Sequence, residues 1–155
     1  MRVLGGRGTV RIRLDAVEAE VLRVMFDDLA DLVEKDAFEP GDPVRDRLFP
    51  HGYPDDVAAS DDFRDLTEAS LRTERVARAR ECADDIDGAG EIRLDADAAQ
   101  RWIQSLNDLR LTLGTRLEIT EDNSADAVAD DHPFAQEWAV YHWLTALQDS
   151  VVRRL

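Results

Sequence analysis

Three histidines, His51, His132 and His142, are the residues of this chain best suited to bind a transition metal. A zinc site on a helix typically uses two histidines four residues apart, and no two of these histidines have that spacing. They also fall in three different segments of the chain. We therefore predict no metal site, and we interpret His51 as a turn residue beside the solvated acids Asp55 and Asp56.

Adjacent acidic residues occur in several places, and paired carboxylates can perform general acid–base catalysis. The pairs are Asp27-Asp28, Asp55-Asp56, Asp61-Asp62, Asp84-Asp85 and Asp130-Asp131. Catalysis needs carboxyl groups with separated pKa values in a cleft, usually opposite a second catalytic group. Asp and Glu occupy 34 of 155 positions, so neighbouring acids arise by chance. Without a phosphate-binding glycine loop before a helix or a Gly-x-Ser-x-Gly motif, we predict no catalytic residue and no cofactor.

Cys82 is the only cysteine, so the chain cannot form an internal disulfide. It lies on a predicted helix with Arg80 as its basic neighbour, whereas a reactive thiol needs more strongly electropositive surroundings. An inert structural cysteine is favoured. A redox role would require oxidation of Cys82 itself, a disulfide to another chain or a thiol on a partner.

One polar string interrupts an otherwise apolar predicted helix. It comprises Asn107, Asp108, Arg110, Gly114 and Thr115. Residues three and four apart on a helix are neighbours, so several of these residues share or border one face. Glycine inside a helix costs about 1 kcal/mol relative to alanine, which predicts that another element approaches closely at Gly114. The string forms either a docking surface or small pocket, or a buried hydrogen-bonded network that fixes this helix against the last one.

The predicted last helix carries Trp138, Tyr141, His142 and Trp143 within six residues. Trp138 and Trp143 point in different directions on a helical wheel, so one face cannot bury the whole group. Core packing accounts for most of it. An exposed Trp143 would be a natural anchor for a protein–protein interface.

The elements that position these groups are indicated by a pentapeptide, Ile-Arg-Leu-Asp-Ala, which occurs at 12–16 and again at 92–96. Each copy ends an alternating run and precedes a long amphipathic segment, the pattern of a strand followed by a helix. Asp15 and Asp95 are predicted N-caps, and Glu18 completes a capping box with Asp15. The predicted core face of the first helix consists of Val17, Val21, Val24, Met25, Leu29, Leu32 and Val33.

The predicted fold is mainly α, a single-domain bundle of about five helices with a small two-stranded β-ribbon near 9–14 and 91–94. A lone strand leaves its backbone groups unpaired, so the two repeat strands are expected to pair with each other, in either parallel or antiparallel fashion. The glycines at 5–8 are interpreted as a loose segment before the first strand.

The domain is expected to span 1–155 without a linker. Within it, 36–59 is predicted to be a proline-containing connecting loop and 120–133 an acidic mobile loop. Between these loops, one helix is predicted to begin near Ser60 and another at Thr67 or Ser70.

The formal net charge of −15 limits the classes of partner. A field this negative repels phosphate backbones and anionic lipid headgroups, so direct binding to nucleic acid or membrane is not expected. Basic protein surfaces are the natural partners. The chain has no run of about 18 apolar residues and no signal-peptide pattern, so we expect a cytoplasmic protein.

Several strings resemble an actinobacterial family long classed as a domain of unknown function, which includes AosR-like oxidative-stress regulators. They are Asn107-Asp108-Leu109-Arg110-Leu111-x-Leu113-Gly114, Leu117-Glu118-Ile119, His132-Pro133, Tyr141-x-Trp143-Leu144-Thr145-x-Leu147-Gln148, and Leu48-Phe49-Pro50 with Tyr53. The resemblance covers nearly the whole chain. The Asn-Asp-Leu-Arg-Leu-x-Leu-Gly string is its most specific part.

This resemblance implies a mostly helical, non-enzymatic protein that regulates transcription by contacting a stress sigma factor or RNA polymerase, with redox state as the signal. Two alternatives stay open. One is an adaptor or accessory of Clp proteolysis, because genes of the family often lie near the Clp adaptor. The other is a small-molecule binder centred on Asn107, Asp108 and Arg110. A homodimer formed through the last helix is compatible with all three functions.

Overall fold

The computed structural model describes residues 1–6, 8–50, 57–88 and 90–155, with the backbone alone for 57–66. The elements follow in the order β1 (Arg2–Gly6), β2 (Thr9–Leu14), α1 (Ala16–Glu34), α2 (Pro43–Leu48), α3 (Val57–Asp84), β3 (Gly90–Leu94), α4 (Ala96–Arg116) and α5 (Ala135–Val152). The prediction of a mainly α protein with about five helices is therefore confirmed for the described part of the chain. None of the described helices is both long and apolar enough to cross a lipid bilayer.

The sheet has three strands in the order β1-β2-β3, so the predicted two-stranded ribbon lacked one strand. β2 and β3 pair antiparallel with Ile12 opposite Ile92, and β1 pairs antiparallel with β2. Gly5 and Gly6, interpreted as part of a loose segment, instead complete β1. Gly5 has a positional reason, since a Cβ there would lie 2.7 Å from Cβ of Arg154 in the C-terminal segment.

The two faces of β2 differ as the alternating pattern predicts. Val10, Ile12 and Leu14 are buried, whereas Arg11 and Arg13 are exposed. The helices thus cover one face of the sheet and leave the arginine face in solvent. This arrangement confirms that the repeat strands pair with each other, and it shows the pairing to be antiparallel.

The predicted core face of α1 is wrong for three of its valines. Val17, Val21 and Val24 are 73%, 38% and 40% exposed. The residues of α1 that do enter the core are Ala19, Leu22, Phe26, Leu29, Ala30 and Val33. The helix carries two apolar stripes, and periodicity alone does not decide which one faces the sheet. We call the second stripe, Val17, Val21, Val24, Met25 and Leu32, the α1 stripe.

Two further expectations about the middle of the chain are corrected. α3 runs without interruption from Val57 to Asp84, although helix starts were predicted inside it. The hydroxyl of Ser70, one of the predicted starts, donates to the Glu74 carboxylate one turn further along α3 at 3.5 Å, so it forms a side-chain pair within the helix and does not begin a new one.

The predicted loop 36–59 contains the short helix α2. Asp42 is its N-cap, accepting from Val44 N at 2.9 Å, and Pro43 occupies the first turn, where a missing N–H costs nothing. The Asp42 carboxylate also accepts from Arg116 Nη2 at 3.0 Å, which ties α2 to α4. His51 and Tyr53, on which the sequence analysis also drew, lie outside the described residues.

Both predicted repeat caps are present, but they differ in completeness. Asp15 accepts from Val17 N and Glu18 N at 2.9 Å, and Glu18 returns a bond by accepting from Asp15 N at 3.0 Å. Asp95 accepts from one backbone donor, Ala98 N, at 2.8 Å. The same pentapeptide therefore begins α1 and α4, with a full capping box only in α1.

We expect both cap substitutions to destabilise the fold, with Asp15→Ala costing about 1–2 kcal/mol and Asp95→Ala about 1 kcal/mol. The first loses two accepted bonds and the second loses one. Urea denaturation followed by circular dichroism measures both, with Asp97→Ala, an exposed first-turn acid, as the control. Equal stability of all three variants would contradict the capping assignment.

Candidate functional site

The polar string of α4 divides between two faces of the helix. Asp108 faces α3, its side chain is 5% exposed, and its carboxylate forms ion pairs with Arg75 and, at 3.4 Å, Arg78. Asn107 and Arg110 face away from α3, toward α2 and α5. The three residues proposed as the centre of one small-molecule site therefore do not meet, because Asp108 is bound between the two guanidinium groups.

Arg110 connects α4 to α5 through neutral partners. Its Nε donates to Thr145 Oγ1 at 3.0 Å and its Nη1 donates to Gln148 Oε1 at 2.5 Å. Gln148 Nε2 in turn donates to the carbonyl of Ile103 at 3.0 Å. The guanidinium lies 5.6 Å from the centroid of the Tyr141 ring. The polar string was expected to form either a pocket or a hydrogen-bonded network with the last helix. These bonds are that network.

The other alternative, a small pocket, is present on the same face. We call it the α4–α5 pocket, and its volume is about 120 Å³. Its lining comprises Arg47, Asn107, Arg110, Leu111, Gly114, Thr115, Ile119 and Tyr141. The close approach expected at Gly114 is that of Tyr141, since a Cβ on Gly114 would lie 3.2 Å from Cε2 of the ring.

The aromatic residues of α5 separate as the helical wheel indicates. Trp138 is 8% exposed. Trp143 is partly buried and lines an open apolar groove of about 240 Å³ with Ala139 and Val140 of α5 and with Val17 and Val21 of α1. Its indole Nε1 is buried and has no hydrogen-bond partner among the described residues. Trp143 thus belongs to an apolar surface and not to a polar network.

A second apolar groove continues along α1. Met25, Leu29 and Leu32 line it from α1, and Leu109 and Leu113 line it from α4, around a volume of about 220 Å³. The α1 stripe therefore borders both grooves, one against α5 and one against α4. This surface was not predicted from the sequence, because Val17, Val21 and Val24 were assigned to the core face of α1.

An acidic row of α1 borders the stripe and is anchored to α3. Arg80 forms ion pairs with Asp27 at 3.1 Å, with Asp31, and with Glu34 at 3.4 Å. Hydrogen bonds from Lys35 and Arg80 lower the pKa of the Asp31 carboxyl below its usual range, so this group stays ionised at neutral pH. The exposed Asp28 lines the second groove without belonging to this network.

The remaining candidate residues lie apart from these surfaces. Cys82 is fully buried, and burial raises the pKa of its thiol to about 12 from an ordinary 9.0. His132 Nδ1 accepts from the backbone N of Phe134 at 3.1 Å, and His142 packs beside Trp138 and Tyr141. Within the described ranges, no group of three or more His, Cys, Asp or Glu side chains is arranged to hold a metal ion.

We expect iodoacetamide to alkylate Cys82 about 10³-fold more slowly in the native protein than in the urea-unfolded protein near pH 7.5. A pKa of about 12 in place of 9.0 lowers the thiolate fraction by that factor, and burial blocks access as well. The native rate should rise steadily with pH beyond the point where the unfolded rate levels off. Because Cys82 is the only cysteine, mass spectrometry reads both rates directly. Similar rates in the two states would contradict this assignment.

Comparison with known sequences places this chain in a family. The sequence model of the family "Domain of unknown function (DUF2017)" matches residues 2–155, and the chain belongs to that family. Curated relatives of the chain include AosR proteins of mycobacteria. The resemblance to the AosR-like actinobacterial family, which the polar string of α4 suggested, is therefore confirmed.

Two of these relatives indicate the degree of similarity. The "Oxidative stress regulator AosR" of Mycobacterium tuberculosis H37Rv is 36% identical over 130 residues, covering 75% of this chain and 59% of the relative. The "Putative oxidative stress regulator AosR" of Mycobacterium leprae is 36% identical over 133 residues, covering 77% of this chain and 61% of the relative. The chain thus spans about three fifths of the length of these relatives. No solved structure matches it.

Proposed function

We propose that this chain is a cytoplasmic regulatory protein of the oxidative-stress response, and that it acts by binding another protein and not by catalysis. The observation that carries the proposal is the α1 stripe, an apolar surface whose valines are exposed to solvent although other residues of α1 already enter the core. The proposed role in the oxidative-stress response is taken from the names of its relatives, which are oxidative stress regulators.

The α1 stripe favours a protein as the ligand. Val17, Val21 and Val24 lie on one face of α1, and each is more than a third exposed. Grooves flanked by Trp143 on one side and Leu113 on the other extend this face. Exposed apolar patches bordered by polar residues are typical of interfaces, and a half-buried tryptophan is a common anchor.

The charge of the chain favours a partner with basic residues around an apolar contact. Glu18 lines the first groove; Asp28 lines the second together with Arg116, whose charge is already paired with Asp42, within a chain of net charge −15. Complementary charges speed association and select among apolar partners. We propose that the partner is a sigma factor or RNA polymerase, as the resemblance to the family implies. The burial of Cys82 argues that a redox signal would enter through the partner's thiols.

A crosslinked pull-down from an actinobacterial lysate, read by mass spectrometry for sigma factors and RNA polymerase subunits, tests this proposal. We expect capture of one of them, weakened by added salt and at least about tenfold by Val21→Asp or Trp143→Ala. Val152→Asp makes the same change at a valine that is 51% exposed and lines neither groove, so it should bind normally.

The outcomes separate the partner from the surface. Capture of Clp components alone would replace the transcription proposal with the proteolysis adaptor. Capture of a sigma factor that is unaffected by Val21→Asp and Trp143→Ala would retain the partner and reject the α1 stripe as the binding surface. Absence of sigma factor, polymerase and Clp components from the eluate would contradict both protein-binding functions.

A further inference from the structure

We propose that the α4–α5 pocket binds a small oxyanion, the carboxylate or phosphate group of a low-molecular-weight ligand. Two arginines, Arg47 of α2 and Arg110 of α4, line this pocket, and no Asp or Glu side chain lines it with them. A guanidinium presents planar, paired N–H donors that match the two oxygens of a carboxylate or phosphate. This proposal does not depend on the α1 stripe.

The absence of an acidic partner is unusual at Arg110, because the other partly buried arginines whose side chains the structure describes each pair with a carboxylate. At least eleven of its arginines form ion pairs with carboxylates in the described part of the structure. With 34 acidic residues against 19 basic ones, a carboxylate partner is easily available. Arg47 and Arg110 nevertheless have none among the residues that the structure describes, so their positive charges remain uncompensated.

Arg110 is held in position but not neutralised. Its Nε and Nη1 donate to the neutral oxygens of Thr145 and Gln148. Those bonds and the Tyr141 ring fix the plane of the guanidinium, while Nη2 donates to no group in the described part of the chain. An ordered donor with unsatisfied capacity loses little conformational entropy when an anion binds, which favours binding.

The other lining groups and the pocket's size define the ligand class. Asn107, Thr115 and Tyr141 contribute an amide and two hydroxyls, each able to donate a hydrogen bond. A volume of about 120 Å³ accommodates an anionic group, whereas pockets for drug-sized ligands measure roughly 300–1,000 Å³. A nucleotide would not fit inside, but an anionic group could enter while the rest of its ligand stays in solvent.

The net charge of −15 does not oppose this local preference. Charges more than a Debye length away, about 8 Å at physiological ionic strength, are largely screened. Among the lining residues, Arg47 and Arg110 are the charged ones, so an anion in the pocket meets positive charge and no carboxylate.

The test is a ¹H–¹⁵N NMR titration of the whole chain with inorganic phosphate in one arm and acetate in the other, at ionic strength held constant with sodium chloride. We expect saturable shifts of the Arg110 Nε–H and Thr115 amide signals with a dissociation constant of the order of millimolar. Arg47→Ala should weaken binding about tenfold or more. Arg11→Ala, which removes an exposed arginine from the outer face of the sheet, should leave it unchanged.

Arg110→Lys is a second variant that keeps the charge but loses the paired donors, and its own spectrum reports whether it folds. Weaker binding by folded Arg110→Lys would confirm recognition by the guanidinium. Preference for phosphate or for acetate would identify the source of the oxyanion. The proposal is overturned if neither anion gives saturable shifts at these signals, or if Arg47→Ala binds as tightly as the parent chain.

Discussion

Replacing Asp108 with alanine is expected to lower the free energy of unfolding by about 3–5 kcal/mol. The carboxylate is 5% exposed and is shared by Arg75 and Arg78, whose side chains are 16% and 19% exposed. Removing it leaves two largely buried positive charges facing each other without a counterion. Because a domain is stable by only about 5–15 kcal/mol, this variant should be close to the limit of folding.

Urea denaturation of Asp108→Ala beside Asp149→Ala isolates the effect of burial. Asp149 also pairs with an arginine, Arg153 at 3.7 Å, but there both side chains are more than half exposed. Pairs of that kind contribute about 0.2–1 kcal/mol or less, so Asp149→Ala should remain near the parent protein. Similar losses in the two variants would show that the α3–α4 ion pair is no stronger than a surface pair.

Replacing Trp102 with alanine is expected to cost about 3–5 kcal/mol as well, for a different reason. Trp102 is fully buried, with its ring edge-on to Phe26 at a centroid distance of 5.4 Å. Its Nε1 donates to Asp85 Oδ2 at 2.8 Å. Alanine would leave a cavity at the junction of α1, α3 and α4 and would remove that hydrogen bond.

Trp143→Ala is the matched control, because Trp143 is only partly buried and its Nε1 has no hydrogen-bond partner among the described residues. We expect a loss of about 1 kcal/mol for that variant, measured by the midpoint of thermal unfolding in circular dichroism. A loss at Trp143 equal to that at Trp102 would place Trp143 in the core and weaken its assignment to a docking groove.

Local signals explain the parts of the fold that the sequence predicts. Strand alternation and helix capping each depend on a few neighbouring residues. The predicted strands β2 and β3 and the predicted N-caps Asp15 and Asp95 are confirmed. β1 was missed because its only buried side chain is Val3, and two of its five residues are glycine. α2 was missed because Pro43 suggested a loop, although proline after Asp42 is also a good helix start.

The candidate site depended on long-range contacts that no local pattern contains. The polar string of α4 was identified correctly as a unit of interest, and Gly114 does face another element. That Asp108 faces Arg75 while Arg110 faces Thr145 follows from how α3 and α5 pack on α4. The same limit explains α1, where two apolar stripes compete and tertiary packing selects one of them.

The pairing of β2 with β3 also affects whether β2 pairs with the same strand of a second chain during synthesis. Ile12 and Ile92 face each other between otherwise similar strands, and the charges differ at one place: Glu91 occupies the position in its copy that Arg11 holds in the first. Within one molecule Glu91 therefore faces Arg13, with Arg13 Nε 3.0 Å from its carboxylate. The native pairing contains one like-charged pair, Arg11 opposite Arg93, beside the Arg13–Glu91 pair. If β2 of two chains paired in the same register, Arg11 would face Arg13 twice and no Glu would be present, and like charges directly opposite destabilise a strand pair. A single acidic residue, translated late, thus makes the correct partner of β2 more favourable than a second copy of itself.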